Sequence, residues 1–220
     1  MKLFIDTSNL HDIKRWYDMG ILDGVTTNPT NLSKEGGDPK KHIQEMCALM
    51  KDHDISVEVT EADPQLVYKQ AKAIAALAKN VVVKIPCHRD YYAVINKLVQ
   101  EGVALNITLV FTVLQGMLMA KMGVRYISPF VGRWDDIDVD GNELIHEMRS
   151  MIDDYCYQDT AILAASLRTV RDVHNAVING ADVATLPSSL LEKITDHPLT
   201  NRGIELFTED WKKLGIKQFP

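Results

Sequence analysis

The sequence predicts an α/β protein built as a single (β/α)8 TIM barrel, and three observations carry that prediction. Short, apolar, β-rich runs recur along the chain, each ending in a polar residue. Longer amphipathic stretches separate them, and glycine often closes a stretch just before the next run. At 220 residues and 24.7 kDa the chain exceeds the common domain size yet falls within the range of one such barrel. Residues 1–220 are therefore read as one barrel domain with a C-terminal helical tail.

The first strand is Leu3 to Asp6, an apolar run closed by a carboxylate. Gly20 ends the stretch that follows and leads to the second strand, Gly24 to Thr27. The third is Ser56 to Val59. After it, Asp63 reads as a helix N-cap with Pro64 at the first helical position, where a missing N–H costs no hydrogen bond. Val67, Ala71, Ile74 and Ala78 then line one face of that helix. Val81 to Ile85, the fourth strand, is nearly continuous in apolar residues and should be mostly buried. Gly102 precedes the fifth strand, Leu105 to Val110, and Gly123 precedes the sixth, Tyr126 to Phe130. The seventh is Ala161 to Ala165; Gly180 precedes the eighth, Val183 to Leu186. At each of these glycines a left-handed residue would end the helix and turn the chain inward. An open doubly wound sheet is the alternative, but it would more naturally carry a G-x-G-x-x-G turn after an early strand, and the sequence has none.

Composition narrows the function. The 46% hydrophobic and 25% charged residues fit a globular protein with a sizeable core. A net charge of -6, with no run of Lys or Arg, argues against non-specific nucleic-acid binding, so an anionic ligand must be captured locally. Cys47, Cys87 and Cys156 are an odd, scattered set that suits a reducing compartment, and each is expected as a small core residue. No apolar run is long enough for a signal peptide or a membrane span. The expected location is the cytoplasm, with neither nucleic acid nor membrane as partner.

In a barrel of this kind the C-terminal ends of the strands share one face. Those ends carry Asp6, Asn28, Glu58, Lys84, Asn106 with Thr108, Ser128 and Ser166. A lysine, two carboxylates, amides and hydroxyls around one mouth suit Schiff-base chemistry on a polyhydroxylated carbonyl compound. Taken alone, Lys84 between Val81-Val82-Val83 and Ile85-Pro86 fits a lysine with a buried stem and a snorkelling or paired ammonium better than it fits catalysis. In a catalytic site, desolvation and neighbouring donors would raise the neutral fraction of the amine. Arg133 and Arg168 follow the sixth and seventh strands, where barrel loops often hold phosphate and a guanidinium fork gives bidentate bonds to a tetrahedral oxyanion.

Several blocks carry a family resemblance. Asp6-Thr7-Ser8, Gly24-Val25-Thr26-Thr27-Asn28-Pro29, Val82-Val83-Lys84-Ile85-Pro86 and Asn106-Ile107-Thr108-Leu109-Val110-Phe111 are four of them. Ser128-Pro129-Phe130-Val131-Gly132-Arg133, Ala164-Ala165-Ser166-Leu167-Arg168 and His197-Pro198-Leu199-Thr200 continue the series in order. Along essentially the whole chain the sequence resembles the small transaldolase and fructose-6-phosphate aldolase family. The resemblance implies Lys84 as the Schiff-base lysine and Asp6 as the acid/base for carbon–carbon cleavage and formation. It implies that Glu58 and Thr108 hold a water that shuttles protons, and that Asn28, Asn106 and Ser128 bind the dihydroxyacetone unit. Arg133 and Arg168, helped by Ser166, would bind the terminal phosphate.

Family members that act as true aldolases carry Gln at the place of Glu58 and Tyr at the place of Phe130, so this chain has the transaldolase pairing at both. A nonpolar Phe130 removes a hydroxyl that could position water against the enamine. The resemblance thus implies a transaldolase of the pentose phosphate pathway acting on fructose 6-phosphate or sedoheptulose 7-phosphate. An aldolase releasing dihydroxyacetone and a transaldolase with a 6-sulfo donor are the alternatives. A homo-oligomeric ring, pentamer or decamer, is implied, and no cofactor.

One tempting motif is set aside. Asp136, Asp138, Asp140, Gly141 and Glu147 have the spacing of a calcium loop, yet a strand and Gly132-Arg133-Trp134 stand where an entering helix should be, and Glu143 occupies a position normally aliphatic. A solvated acidic loop leading into a helix is expected there. The histidines and cysteines show no zinc spacing, and no metal is expected.

Overall fold

The computed structural model describes residues 1–215; the end of the predicted tail, residues 216–220, lies outside the described residues. The first half runs β1 (Lys2–Asp6), α1 (Leu10–Asp18), β2 (Gly24–Thr26), α2 (Pro29–Leu32), α3 (Pro39–Leu49), β3 (Asp54–Glu58), α4 (Pro64–Ala75), β4 (Val81–Pro86) and α5 (Tyr92–Gln100). It continues with β5 (Leu105–Val110), α6 (Val113–Met122), β6 (Tyr126–Pro129), α7 (Val131–Asp135), α8 (Gly141–Asp154), β7 (Ala161–Ala164) and α9 (Val170–Ile178). β8 (Val183–Leu186), α10 (Ser188–Thr195) and α11 (Pro198–Lys213) complete it. The strands are parallel and pair in sequence order, and β8 closes on β1 to make the predicted barrel.

Alternation along the strands sorts the core into two layers. Ile5, Val25, Ile55, Val83, Ile107, Ile127 and Leu186 point outward into the layer between sheet and helices. Phe4, Val82, Tyr126, Leu163 and Val183 make a smaller plug inside the barrel. Phe4 meets Tyr126 edge-on at 5.9 Å between ring centroids. Gly24 makes room for this: a Cβ there would lie 2.5 Å from the Phe4 ring and 2.8 Å from the Asp54 carbonyl. The plug closes the lower half of the barrel, which leaves the polar strand ends at the other mouth as the place for a site.

Punctuation follows the expected chemistry. Gly20, Gly102, Gly123 and Gly180 all adopt the left-handed conformation, with φ of 75°, 74°, 81° and 84°. Asp63 caps α4 by accepting from the backbone N–H of Gln65 and Leu66, Pro64 follows it, and Val67, Ala71 and Ile74 are buried. Ala78 packs on the same core from beyond the helix end.

The strand ends differ from expectation by a residue at several places: β2, β3, β6 and β7 stop one residue earlier, β4 runs on to Pro86 and β1 starts at Lys2. β3 begins at Asp54, ahead of the expected Ser56, because that carboxylate has partners at the barrel floor: it accepts from the Tyr126 hydroxyl at 2.6 Å and pairs with Arg125 at 3.1 Å. Cys47 and Cys87 are buried as expected, and burial pushes the Cys47 thiol up to about 11, which makes it unreactive. Cys156 is exposed. It sits in the turn after α8 with φ of 58°, where its N–H bonds back to the Asp153 carbonyl and its side chain is turned away from the core.

The acidic loop leads into α8, and two of its carboxylates have protein partners: Asp140 accepts from the Asn142 backbone N–H at the N-cap, and Asp136 pairs with Arg168. Among the described residues no helix is long and apolar enough to cross a membrane.

Candidate active site

The mouth formed by the C-terminal strand ends holds a cavity of about 580 Å³. β-sheet register brings its residues together. Glu58 on β3 lies beside Lys84 on β4, Lys84 lies beside Asn106 on β5, and Asp6 on β1 lies beside Thr26 on β2. β5 is irregular between Ile107 and Val110, and Leu109 has a positive φ of 56°, so that Thr108 and Leu109 both reach the cavity instead of alternating. Lys84, Asp6, Glu58 and Thr108 all line it, as do Asn28, Asn106, Ser128, Phe130, Arg133, Ser166 and Arg168.

Lys84 is only 6% exposed. Its ammonium donates to the Thr27 carbonyl at 2.6 Å and pairs with Glu58 Oε2 at 3.0 Å. The immediate neighbours are thus acceptors, in contrast to the donors expected from sequence. A carboxylate at that distance is a ready destination for the proton that an attacking amine must lose.

Asp6 sits across the cavity floor. Burial raises its carboxyl above the ordinary aspartate range, partly offset by the charge of Lys84 and by hydrogen bonds from Thr26 and Asn31. The Thr26 hydroxyl donates to Asp6 Oδ1 at 3.0 Å and lies 2.6 Å from the Thr185 hydroxyl. Asn31 reaches the same carboxylate oxygen at 3.5 Å. It is held there by α2, where its Oδ1 accepts from Asn28 N while Asn28 Oδ1 accepts from Asn31 N, both at 2.9 Å. Asn106 and Ser128 are fully buried and joined: Ser128 Oγ donates to Asn106 Oδ1 at 2.7 Å, and Asn106 Nδ2 donates to Ser56 Oγ at 3.1 Å. Each keeps capacity for a further partner, since a serine oxygen has two lone pairs and an amide two N–H groups.

The opposite wall is cationic and aromatic. Phe130 meets Phe111 edge-on at 6.0 Å, and the Arg133 guanidinium lies over the Phe130 ring at 5.9 Å. Arg133 and Arg168 share this wall because Gly132 lets α7 lie against the loop after β7; a Cβ there would come 2.3 Å from the Ser166 carbonyl and 3.0 Å from Arg168 Nε. Ser166 has φ of 61°. Asp172 fixes the loop by accepting from Arg168 N at 2.8 Å and Thr169 N at 2.9 Å. Arg168 forms a two-pronged pair with Asp136, and the guanidinium holds that carboxyl below the usual carboxylate range.

Thr26, Asn31, Lys34, Leu109, Leu163 and Thr185 line the cavity as well, although the sequence analysis does not single them out. Thr26 and Thr185 are findable from alternation, lying on the inward faces at the end of β2 and one residue before the end of β8. The signal for Asn31 is its place three residues after Asn28, the reciprocal position of a capping box.

The chain is similar to known proteins along nearly its whole length. The family model described as Transaldolase/Fructose-6-phosphate aldolase matches residues 3–218. A probable transaldolase of Parvibaculum lavamentivorans is 43% identical over 217 residues, covering 99% of this chain and 99% of that protein. One from Nitrosopumilus maritimus is 44% identical over 214 residues, with coverage of 97% and 96%. One from Streptococcus pyogenes is 46% identical over 211 residues, with coverage of 96% and 98%.

Proposed function

This chain belongs to the transaldolase/fructose-6-phosphate aldolase family, and on that premise we infer that it is a Schiff-base transaldolase of the pentose phosphate pathway. It moves a dihydroxyacetone unit from a ketose phosphate, fructose 6-phosphate or sedoheptulose 7-phosphate, to an aldose phosphate. The observation that carries this reading is the buried Lys84 amine, set against Glu58 in a polar barrel mouth that also holds Asp6 and two arginines.

In this reading the Lys84 ammonium gives a proton to Glu58, and the amine attacks the C2 ketone. Glu58 and Thr108, through a bound water, return protons so that the carbinolamine loses water and an iminium forms. Asp6 takes the proton of the C4 hydroxyl; the C3–C4 bond breaks, its electrons reach the iminium nitrogen, and an aldose phosphate leaves. The enamine that remains on Lys84 attacks the carbonyl of the acceptor, Asp6 returns its proton to the new hydroxyl, and hydrolysis frees the product ketose. Asn28, Asn106 and Ser128 hold the dihydroxyacetone oxygens. Arg133, Arg168 and Ser166 hold the terminal phosphate.

Phe130 sets the partition between transfer and release. Its ring places no hydroxyl at the enamine, so the intermediate waits for an acceptor. Phe130→Tyr is expected to raise free dihydroxyacetone relative to sedoheptulose 7-phosphate when fructose 6-phosphate and erythrose 4-phosphate are supplied together. An unchanged product ratio counts against this role and moves attention to Glu58. The same assay with a 6-sulfo donor tests the tail: a strong preference for the sulfonate would overturn the pentose-phosphate assignment and leave the Lys84 chemistry standing.

A cytoplasmic location and a homo-oligomeric ring, pentamer or decamer, complete the proposal. The assembly is supported by α11, a helix with no buried residue that exposes Leu199, Ile204, Leu206 and Phe207. Such a face needs cover.

A further inference from the structure

The transaldolase reading leaves the interior of β8 without a part. Thr185 is 5% exposed and Thr26 is 2% exposed, so two hydroxyls lie buried beneath the reacting centre. Buried hydroxyls must be partnered, and here the partnership runs in a line across three neighbouring strands: Thr185 on β8, Thr26 on β2 and Asp6 on β1. Sheet register holds the line, with Asp6 beside Thr26 and Phe4 beside Thr185.

A threonine hydroxyl has one hydrogen to donate. Thr26 directs its hydrogen to Asp6 Oδ1 at 3.0 Å. The 2.6 Å contact between Thr26 and Thr185 must then be filled by the hydrogen of Thr185. The chain has one direction, Thr185 to Thr26 to Asp6, ending on a carboxylate. Consecutive hydrogen bonds of one direction polarise each other, so the Thr185 bond makes Thr26 a stronger donor.

We propose that Thr185 is a positioning residue for the carbon–carbon step, acting through Thr26 to hold the Asp6 carboxylate oriented and in its proton-accepting form. The inference rests on the transaldolase reading, in which Asp6 removes the C4 hydroxyl proton. Burial works against an ionised Asp6, and the hydroxyl chain is the counterweight that neighbouring strands supply. When the proton arrives, the two threonines reorient by hydroxyl rotation alone, and the reverse rotation accompanies its return to the acceptor. The charged groups facing Asp6 from other elements are Lys84 on β4, which also favours the carboxylate, Glu58 on β3, and Lys34, Arg133 and Arg168 elsewhere on the cavity wall. Its nearest packing elements, β2, β8 and α2, contribute the neutral side chains Thr26, Thr185 and Asn31.

The test is the pH dependence of kcat/KM for fructose 6-phosphate with erythrose 4-phosphate, compared among the parent, Thr185→Val and Thr185→Ser. Val keeps the shape and loses the hydroxyl; Ser keeps the hydroxyl. Substrate phosphate titrates near about 6, but identically in all three, so the comparison isolates the enzyme. Thr185→Val is expected to move the acidic limb to higher pH, with activity on that limb falling by roughly two-fold beyond any change at the plateau. Thr185→Ser should restore the parent limb, and Thr26→Val, which removes the direct donor, should displace it further in the same direction. Should Thr185→Val not fold, Thr185→Ala gives the same readout. Borohydride trapping on Lys84 separates the two levels of claim. A parent that forms no Lys84 adduct sinks the transaldolase reading; adducts in parent and variant, with coincident acidic limbs, overturn this proposal alone.

Discussion

At the scale of single residues the site opposes two buried ionisable groups. Lys84 has a carboxylate at 3.0 Å and a backbone carbonyl at 2.6 Å, while Asp6 across the floor is raised by burial. The raised carboxyl has a consequence for stability. A folded-state pKa above the unfolded one means that the folded chain binds more protons over the window between them, so stability falls as pH rises through that window and stays lower above it. Above the ordinary carboxylate range the native protein carries this cost, and a neutral isostere does not. Asp6→Asn is therefore expected to melt higher than the parent at neutral pH, the gap closing below the ordinary carboxylate range, while transfer activity drops on the order of a hundredfold or more. Melting curves at several pH values check it; a variant less stable at neutral pH would contradict the desolvation account. For the tail, Arg168→Ala should lower kcat/KM for a phosphorylated donor by roughly tenfold to a hundredfold and leave dihydroxyacetone nearly unaffected. Equal losses with both donors would mean that Arg168, which pairs with Asp136, serves the fold instead.

At the scale of elements, strand alternation and loop closure decide where these residues meet. Inward positions of the lower barrel are filled by Phe4, Val82, Tyr126, Leu163 and Val183, and inward positions of the upper barrel are polar. Gly24 sits at the junction of neighbouring strands, where the Phe4 ring takes the space that a side chain would need. Gly24→Ala is expected to destabilise the fold by about 1–3 kcal/mol, because neither a packed ring nor a backbone carbonyl can withdraw cheaply. Denaturant unfolding measures it, and a neutral effect would show that the plug is looser than its geometry implies. The strands were legible from their apolar runs and the helix ends from Asp63 and the left-handed glycines, since those signals are local. The start of β3 was not, because Asp54 joins the strand through Tyr126 and Arg125, far away in sequence. Cys156 departs from the expected core position for a related reason: its side chain follows from a left-handed turn that no apolar pattern announces.

At the scale of the whole molecule, closing the sheet turns residues spread from β1 to β8 into one cavity wall. The strand-end candidates were readable because a barrel gathers such ends on one face. The Thr185–Thr26–Asp6 line was not, because it depends on β8 pairing with β1, which alternation within any single strand cannot reveal. The acceptor environment of Lys84 was equally hidden: the Thr27 carbonyl just beyond β2 and Glu58 at the end of β3 reach it only once the strands are in register. All of this converges on one covalent event, and one measurement tests it most directly. The protein is incubated with fructose 6-phosphate and borohydride, digested, and mapped by mass spectrometry, alongside Lys84→Ala. The account expects a reduced dihydroxyacetone adduct on the peptide containing Lys84, unchanged by EDTA and missing from the variant; no adduct, or an adduct on another lysine, would contradict it.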